Sequence, residues 1–269
     1  GLSLDRLTWV EGELNDTQSL ESSLKGCTRV FHVAALVSFH PLDEASLLKT
    51  NVEGTKNIVN AMLHKDVKTL VYVSSVAALG RQENKIVDEE TPFEDGIGET
   101  AYSRSKYLAE LEVWRGQEEG LSVAVVNPSI IIGAGDFTRS SAELFPQIHA
   151  GLSFYPTGSS GYVSSSDVAK ACVLLADKNV RGERVLLNSE NRSYKSLMCE
   201  IAIALNVKPP FRVVKPWMSS FAWRAFWLIE KLTGKRALAT KSSLKMSRSI
   251  IVYDGSKIER VLALEGVKW

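Results

Sequence analysis

The sequence predicts an α/β protein built on a parallel sheet, and three observations carry that expectation. Continuous apolar runs of strand length recur at Arg29-Val30-Phe31-His32-Val33-Ala34-Ala35, Thr69-Leu70-Val71-Tyr72-Val73 and Val123-Ala124-Val125-Val126, as expected of strands covered on both faces. Helical stretches separate them, at 44–65 and again from Ala101 to Trp114, where good helix formers run without Gly or Pro. With 269 residues, 45% of them hydrophobic, and a net charge of +1, the chain can bury a large core. No basic run points to nucleic acid.

In order, Leu7-Thr8-Trp9-Val10 reads as a short strand leading into Glu11-Gly12-Glu13-Leu14-Asn15-Asp16, with a helix over 17–24 entered from the Asn/Asp pair. His32, on the next strand, reads as a hydrogen-bonded core residue. A loop at 36–42 precedes the long helix 44–65. The strand 69–73 runs into Ser74-Ser75, and Gly98-Glu99-Thr100 offers a start for the helix that carries Tyr102 and Lys106. Pro128 forces an extended conformation on Asn127 at the end of the next strand. Further on, 137–151 contains a helix, 154–158 is turn-rich, 169–177 is a helix, 182–188 a strand and 194–205 a helix. A last helix over 217–232 bears Trp217, Phe221, Trp223, Phe226 and Trp227. That aromatic load reads first as core; the alternatives are a pocket for a flat hydrophobic substrate or a peripheral membrane contact.

Cys27, Cys172 and Cys199 are odd in number and far apart, so neither a disulfide framework nor a metal site is implied, and a cytoplasmic setting is the default. No apolar run is long enough to span a bilayer, and no signal peptide is visible.

Tyr102 and Lys106 stand four residues apart on one helical face. A phenol of reference pKa about 10 is a poor acid or base at neutral pH, and a neighbouring ammonium lowers that value. Tyr102 could then exchange a proton near pH 7. Ser75 follows a strand, at the carboxyl end of the sheet where open α/β sheets bind ligands. Ser74 is the alternative, since a slip of one residue reverses the face. A Tyr-x-x-x-Lys spacing alone is a weak signal, so the neighbours decide.

Those neighbours come in a particular order: His32-Val33-Ala34-Ala35, Asn51-Val52-Glu53-Gly54-Thr55, the strand ending at Ser75, the Tyr102/Lys106 helix, Asn127-Pro128-Ser129 and Gly133-Ala134-Gly135-Asp136. This order resembles the extended short-chain dehydrogenase/reductase family. Thr233-Gly234-Lys235 and Tyr253-Asp254-Gly255-Ser256-Lys257 look most like its hydroxysteroid dehydrogenase and dihydroflavonol reductase branch. The resemblance implies a Rossmann-type doubly wound parallel sheet whose first βαβ unit, with its glycine-rich turn, would lie ahead of Gly1. A dinucleotide-binding domain would take 1–132 and 162–189, and a smaller, mainly helical substrate lobe 133–161 and 190–269. Gly96-Ile97-Gly98-Glu99-Thr100-Ala101 has a related spacing but follows an acidic loop rather than a strand, so it does not replace that turn.

The resemblance further implies NAD or NADP as cofactor. Glu13 and Leu14 would lie at the adenine, with Val33, Ala34 and Ala35 along the dinucleotide. Val73, Ser74, Tyr102, Lys106, Asn127, Pro128, Ser129 and Ile130 would complete the cofactor site. Ser75, Tyr102, Lys106 and Asn51 become the catalytic set, Asn51 holding a backbone bend and a relay water; Phe39, His40 and Ala77 become substrate contacts. Glu13 stands where the family usually has Asp, and Ser164 where it often does. The activity implied is hydride transfer between a nicotinamide and a carbonyl or secondary alcohol of a hydrophobic small molecule. One alternative is a nucleotide-sugar epimerase or dehydratase that retains NAD. Another, of a different class, is a non-catalytic cofactor-sensing protein. A homodimer through the helices 44–65 and 101–114 is expected from the same resemblance.

Overall fold

The computed structural model describes residues 7–81, 85–94, 100–138, 140–215, 217–218, 223–224, 231, 233 and 241–263. Its centre is a parallel four-stranded sheet in which β1 (Arg29–His32), β2 (Thr69–Val73), β4 (Ser122–Pro128) and β8 (Glu183–Leu187) lie side by side in that order. Val71 pairs with Phe31 on one side and Ala124 on the other, and Val126 with Val185, so the carboxyl ends of the strands share one edge.

Alternation along the strands divides the core in two. Leu70, Tyr72, Val123 and Val125 face one way, where they meet Ile58, Val59 and Met62 of α3 (Gly54–His64) and Ala109 and Val113 of α4 (Ala101–Glu118). Val71, Val73, Ala124 and Val126 face the other way, against Ala171, Cys172 and Leu175 of α6 (Ser165–Asp177) and Ile258 of α8 (Lys257–Val261). Helices therefore cover both faces, as doubly wound sheets require. Each fully buried Val or Leu contributes roughly 1.5–3 kcal/mol.

Several elements follow from local chemistry. The Asp16 side chain caps α1 (Thr17–Ser23) by accepting from the N–H groups of Gln18 and Ser19. Thr100 and Ser103 form a reciprocal capping box that starts α4. Ser164 caps α6 by accepting from the Asp167 N–H at 3.0 Å; a hydroxyl here does the capping work of the aspartate that the family resemblance suggests. The long helix runs as predicted but is not uniform. Between α2 (Glu44–Leu47) and α3 it widens into a π-helical segment, Leu48–Glu53, that carries Asn51 inward. Gly54 begins α3 where a Cβ would stand 2.9 Å from Leu14 Cβ, so only glycine lets Leu14 lie on that turn.

A second layer is formed by β5 (Ile130–Ile132), β7 (Ser159–Ser164) and β9 (Glu190–Ser193), with β5 and β7 parallel and β7 and β9 antiparallel. Two further pairs are β6 (Phe154–Tyr155) with β10 (Arg212–Val213), and β3 (Ile86–Val87) with β11 (Val252–Tyr253). The expected helix over 137–151 is α5 (Leu144–His149), which packs on α7 (Tyr194–Ala204) around Ile148, Met198 and Ile201. The strand expected at Leu7-Thr8-Trp9-Val10 is instead irregular, with Trp9 exposed. Most of the aromatic helix expected over 217–232, and the glycine pair Gly96 and Gly98, lie outside the described residues.

Candidate active site

The carboxyl edge of β2 and the start of α4 bring the predicted catalytic groups together. After Val73 the chain leaves the sheet, and Ser75 opens a short 3-10 turn, Val76–Ala78, by accepting from the Ala77 N–H at 3.1 Å. This turn sets Ser75 beside the Tyr102 phenol, where its hydroxyl favours the ionised phenol. Ser74, the alternative, donates its N–H to the Val126 carbonyl at 2.7 Å and holds its own hydroxyl buried elsewhere. Tyr102 is buried among Leu47, Ala77, Leu36 and Ala101, and the Phe39 ring meets it edge-on at 5.6 Å. Burial holds the phenol above its ordinary pKa, and the Ser75 bond opposes that rise.

Lys106 is buried one turn further along α4. Its Nζ donates to the Tyr72 hydroxyl at 2.8 Å and to the Val73 carbonyl at 3.0 Å, and lies 4.5 Å from the Tyr72 ring centre. Burial pulls its pKa from 10.5 to about 8, with Glu110 pulling the other way. This geometry departs from the expectation that Lys106 lowers the Tyr102 pKa: strand alternation presents Tyr72 to the ammonium, and burial and Ser75 are what shift Tyr102. His32 is the expected core residue: its Nε2 meets the Thr55 hydroxyl at 2.9 Å, and burial, aided by the Lys106 charge, lowers its pKa to about 4.

Asn51 is a clamp. Its Oδ1 accepts from the Leu36 N–H at 2.7 Å, while its Nδ2 donates to the Leu36 carbonyl at 3.0 Å and to the Ser105 hydroxyl at 2.9 Å. One amide thus ties the loop after β1 to α4. His40 starts the turn Pro41–Asp43, its Nδ1 accepting from the Leu42 N–H at 3.3 Å. Val33, Ala34 and Ala35 are exposed just beyond the end of β1. Glu13 and Leu14 lie apart from the tyrosine, near α3, where the Asn57 amide donates to the Leu14 carbonyl at 3.1 Å.

At the ends of β2 and β4 three buried polar atoms have no hydrogen-bond partner: Ser74 Oγ, Asn127 Oδ1 and Ser129 Oγ. A buried polar atom left unpaired costs about 1–3 kcal/mol, so their clustering at the carboxyl edge fits a ligand rich in hydroxyl and amide groups. Pro128 lies in β4 and Ile130 opens β5. Glu110 and Arg184 were not anticipated. Glu110 is fully buried, accepts from Asn127 Nδ2 at 2.6 Å and pairs with Arg184 at 2.5 Å. Among the described residues, no group of three or more His, Cys, Asp or Glu could hold a metal ion, and no helix is long and apolar enough to cross a membrane.

A family model described as the NAD dependent epimerase/dehydratase family matches residues 2–187. A dihydroflavonol 4-reductase-like protein of Synechocystis sp. is 31% identical over 268 residues, covering 96% of this chain and 77% of its own length. Sterol demethylase protein B of Methylococcus capsulatus is 32% identical over 196 residues, covering 71% of this chain and 58% of its own. The crystal structure of gox2253 superposes with a TM-score of 0.78 at 32% identity, over 94% of this chain and 78% of that one.

Proposed function

Because the chain belongs to the NAD-dependent epimerase/dehydratase family, and so to a group of Rossmann-type NAD(P)-dependent enzymes, we propose that it interconverts a carbonyl and a secondary alcohol on a hydrophobic small molecule. The observation that carries this reading is the buried Tyr102 phenol, with Ser75 favouring its ionised form and Leu36, Leu47, Ala77 and Phe39 walling it. An apolar wall beside a proton donor suits a ketone on a flat or fused-ring skeleton better than a sugar nucleotide. The names carried by the dihydroflavonol-type and sterol relatives point the same way.

Bound nicotinamide would supply or accept the hydride. Ser74, Asn127 and Ser129 offer the unpaired polar atoms that would hold it, Lys106 a charge, Val33, Ala34 and Ala35 an open path along the sheet edge, and Glu13 and Leu14 an adenine contact. Val73, Pro128 and Ile130 shape the floor between them. In the reduction direction Tyr102 gives its phenolic proton to the substrate oxygen while Ser75 holds that oxygen in place. The Lys106 ammonium favours the phenolate left behind, and Asn51 keeps the loop bearing Phe39 and His40 against α4. We also propose that the exposed faces of α3 and α4, with Leu111 at the surface of α4, pair two copies of the chain. The free cysteines support a cytoplasmic setting.

The test is Tyr102→Phe. Turnover of hydrophobic ketones with NADH or NADPH should fall by at least about a thousandfold, while cofactor affinity stays within a few-fold. A variant with near wild-type rate would sink the assignment. The family's other activity, epimerisation or dehydration, would show tightly held NAD released on denaturation and no net absorbance change at the reduced-nicotinamide band during turnover.

A further inference from the structure

Glu110 is a fully buried carboxylate on the face of α4 that carries Tyr102 and Lys106, and the mechanism above makes no use of it. We propose that Glu110, backed by Arg184 of β8, is a positioning residue that orients the Asn127 amide, and through it the Ser75 end of β2, while setting the charge felt by Lys106. Its catalytic consequence rests on the hydride-transfer reading.

A carboxylate can only accept hydrogen bonds when ionised, so an amide facing it must present its NH2. Asn127 does so, donating Nδ2 to Glu110 at 2.6 Å. The same nitrogen donates to the Ser75 backbone carbonyl at 2.9 Å, fastening the end of β2 to the end of β4. This orientation leaves Asn127 Oδ1 as the buried, unpartnered acceptor. Turned over, the amide would set its oxygen against a carboxylate and a carbonyl, two repulsive contacts. Glu110 therefore decides which end of Asn127 is offered to a ligand.

Arg184 completes the arrangement from the outside. Its guanidinium holds the second carboxylate oxygen at 2.5 Å, lies 5.8 Å from the Trp114 ring centre and reaches the Glu89 carbonyl at 3.4 Å. The charge of Glu110 is thus paired without being exposed. It sits one helical turn beyond Lys106, whose ionised form it favours against burial. Among the described residues, the other titrating groups facing Lys106 are Tyr72 on β2 and His32 on β1, and Tyr102 lies one turn before it on its own helix. The segments packed on α4 from the other side contribute Asn51 and Thr55, which do not titrate.

Protein carrying isotope-labelled lysine reports the Lys106 ammonium directly by NMR titration, with its signal assigned by loss in Lys106→Met, and needs no turnover. Glu110→Gln keeps the shape and removes the charge. The Lys106 midpoint should fall by about one pH unit, and kcat/KM should fall about tenfold or more. Glu110→Asp should recover part of both. Arg184→Met removes a cation and should raise the midpoint. A merely structural loosening admits water and raises the midpoint in Glu110→Gln too, so an unchanged or raised value there overturns the proposal. Should Glu110→Gln not fold, a midpoint in Arg184→Met that stays or falls overturns it equally. An unchanged kcat/KM beside a lowered midpoint overturns the catalytic part. If wild-type protein turns over no carbonyl substrate, the hydride-transfer reading fails, while the titration still judges the orienting role.

Discussion

Replacing Lys106 by Met should abolish turnover and make the fold more stable at pH 7. The ammonium is 1% exposed, and burial lowers its pKa from 10.5 to about 8. That depression corresponds to roughly 3 kcal/mol by which the folded state disfavours the charged form relative to the unfolded chain. Methionine, of similar length and uncharged, escapes this penalty but gives up the bonds to the Tyr72 hydroxyl and the Val73 carbonyl. Losing those partners costs about 1–2 kcal/mol, so the expected net gain at pH 7 is about 1–2 kcal/mol. The sign with pH follows from proton linkage. Between pH 8 and 10.5 the unfolded lysine still holds its proton while the folded one has released it, so wild-type stability rises across that window. The advantage of Lys106→Met should therefore shrink as pH rises, vanish within that window and reverse near its upper limit, where the penalty is gone and the lost bonds remain. Urea denaturation of both proteins at pH 7 and above pH 9 measures this directly. A variant less stable than wild type by more than about 1 kcal/mol at pH 7 would refute the view that the ammonium is held against its own solvation.

Asn51→Ala removes three hydrogen bonds at once and leaves the Leu36 backbone groups unpaired. It should lower stability by about 2–4 kcal/mol and speed amide exchange at Leu36, whereas full protection at that amide would contradict the clamp. Ser164→Ala should lower stability by about 1 kcal/mol through loss of the α6 cap, with activity unchanged, and thermal melts with and without cofactor would separate the two effects.

The strands were legible because burial on both faces demands apolar residues at every position, and 69–73 and 122–128 meet that demand almost without interruption. Tyr102, Lys106 and Ser75 stood out as candidates because their types and spacing are unusual enough in combination, although neither periodicity nor spacing could choose Ser75 over Ser74. The 3-10 turn that sets Ser75 beside the phenol is what favours Ser75 as the candidate. The π-helical turn at Leu48–Glu53 left no local trace, since nothing in Leu-Lys-Thr-Asn-Val-Glu breaks a helix. It takes shape where the Asn51 amide reaches backbone groups 15 residues earlier. Glu110 was hidden for the opposite reason. Four residues after a lysine on a helix, it reads as half of an exposed ion pair, and its bonds to Asn127 and Arg184, 17 and 74 residues further on, show that this turn faces inward.

These observations share a physical logic. A helix that packs on a sheet would be most stable with apolar residues along its inner face, yet α4 buries Tyr102, Ser105, Lys106 and Glu110, the last two against β2 and β4. Two of these are charged, and beside them Asn127 keeps an acceptor buried and unpaired. Such choices are destabilising one by one and are tolerated because the two apolar clusters on either side of the sheet hold the backbone in place whatever this face contains. Rigidity supplied from elsewhere lets a tyrosine, a lysine and a carboxylate stay desolvated and fixed. In that setting a change of charge at Glu110 is felt by Lys106 and Tyr72 more strongly than it would be in water, where it would be screened.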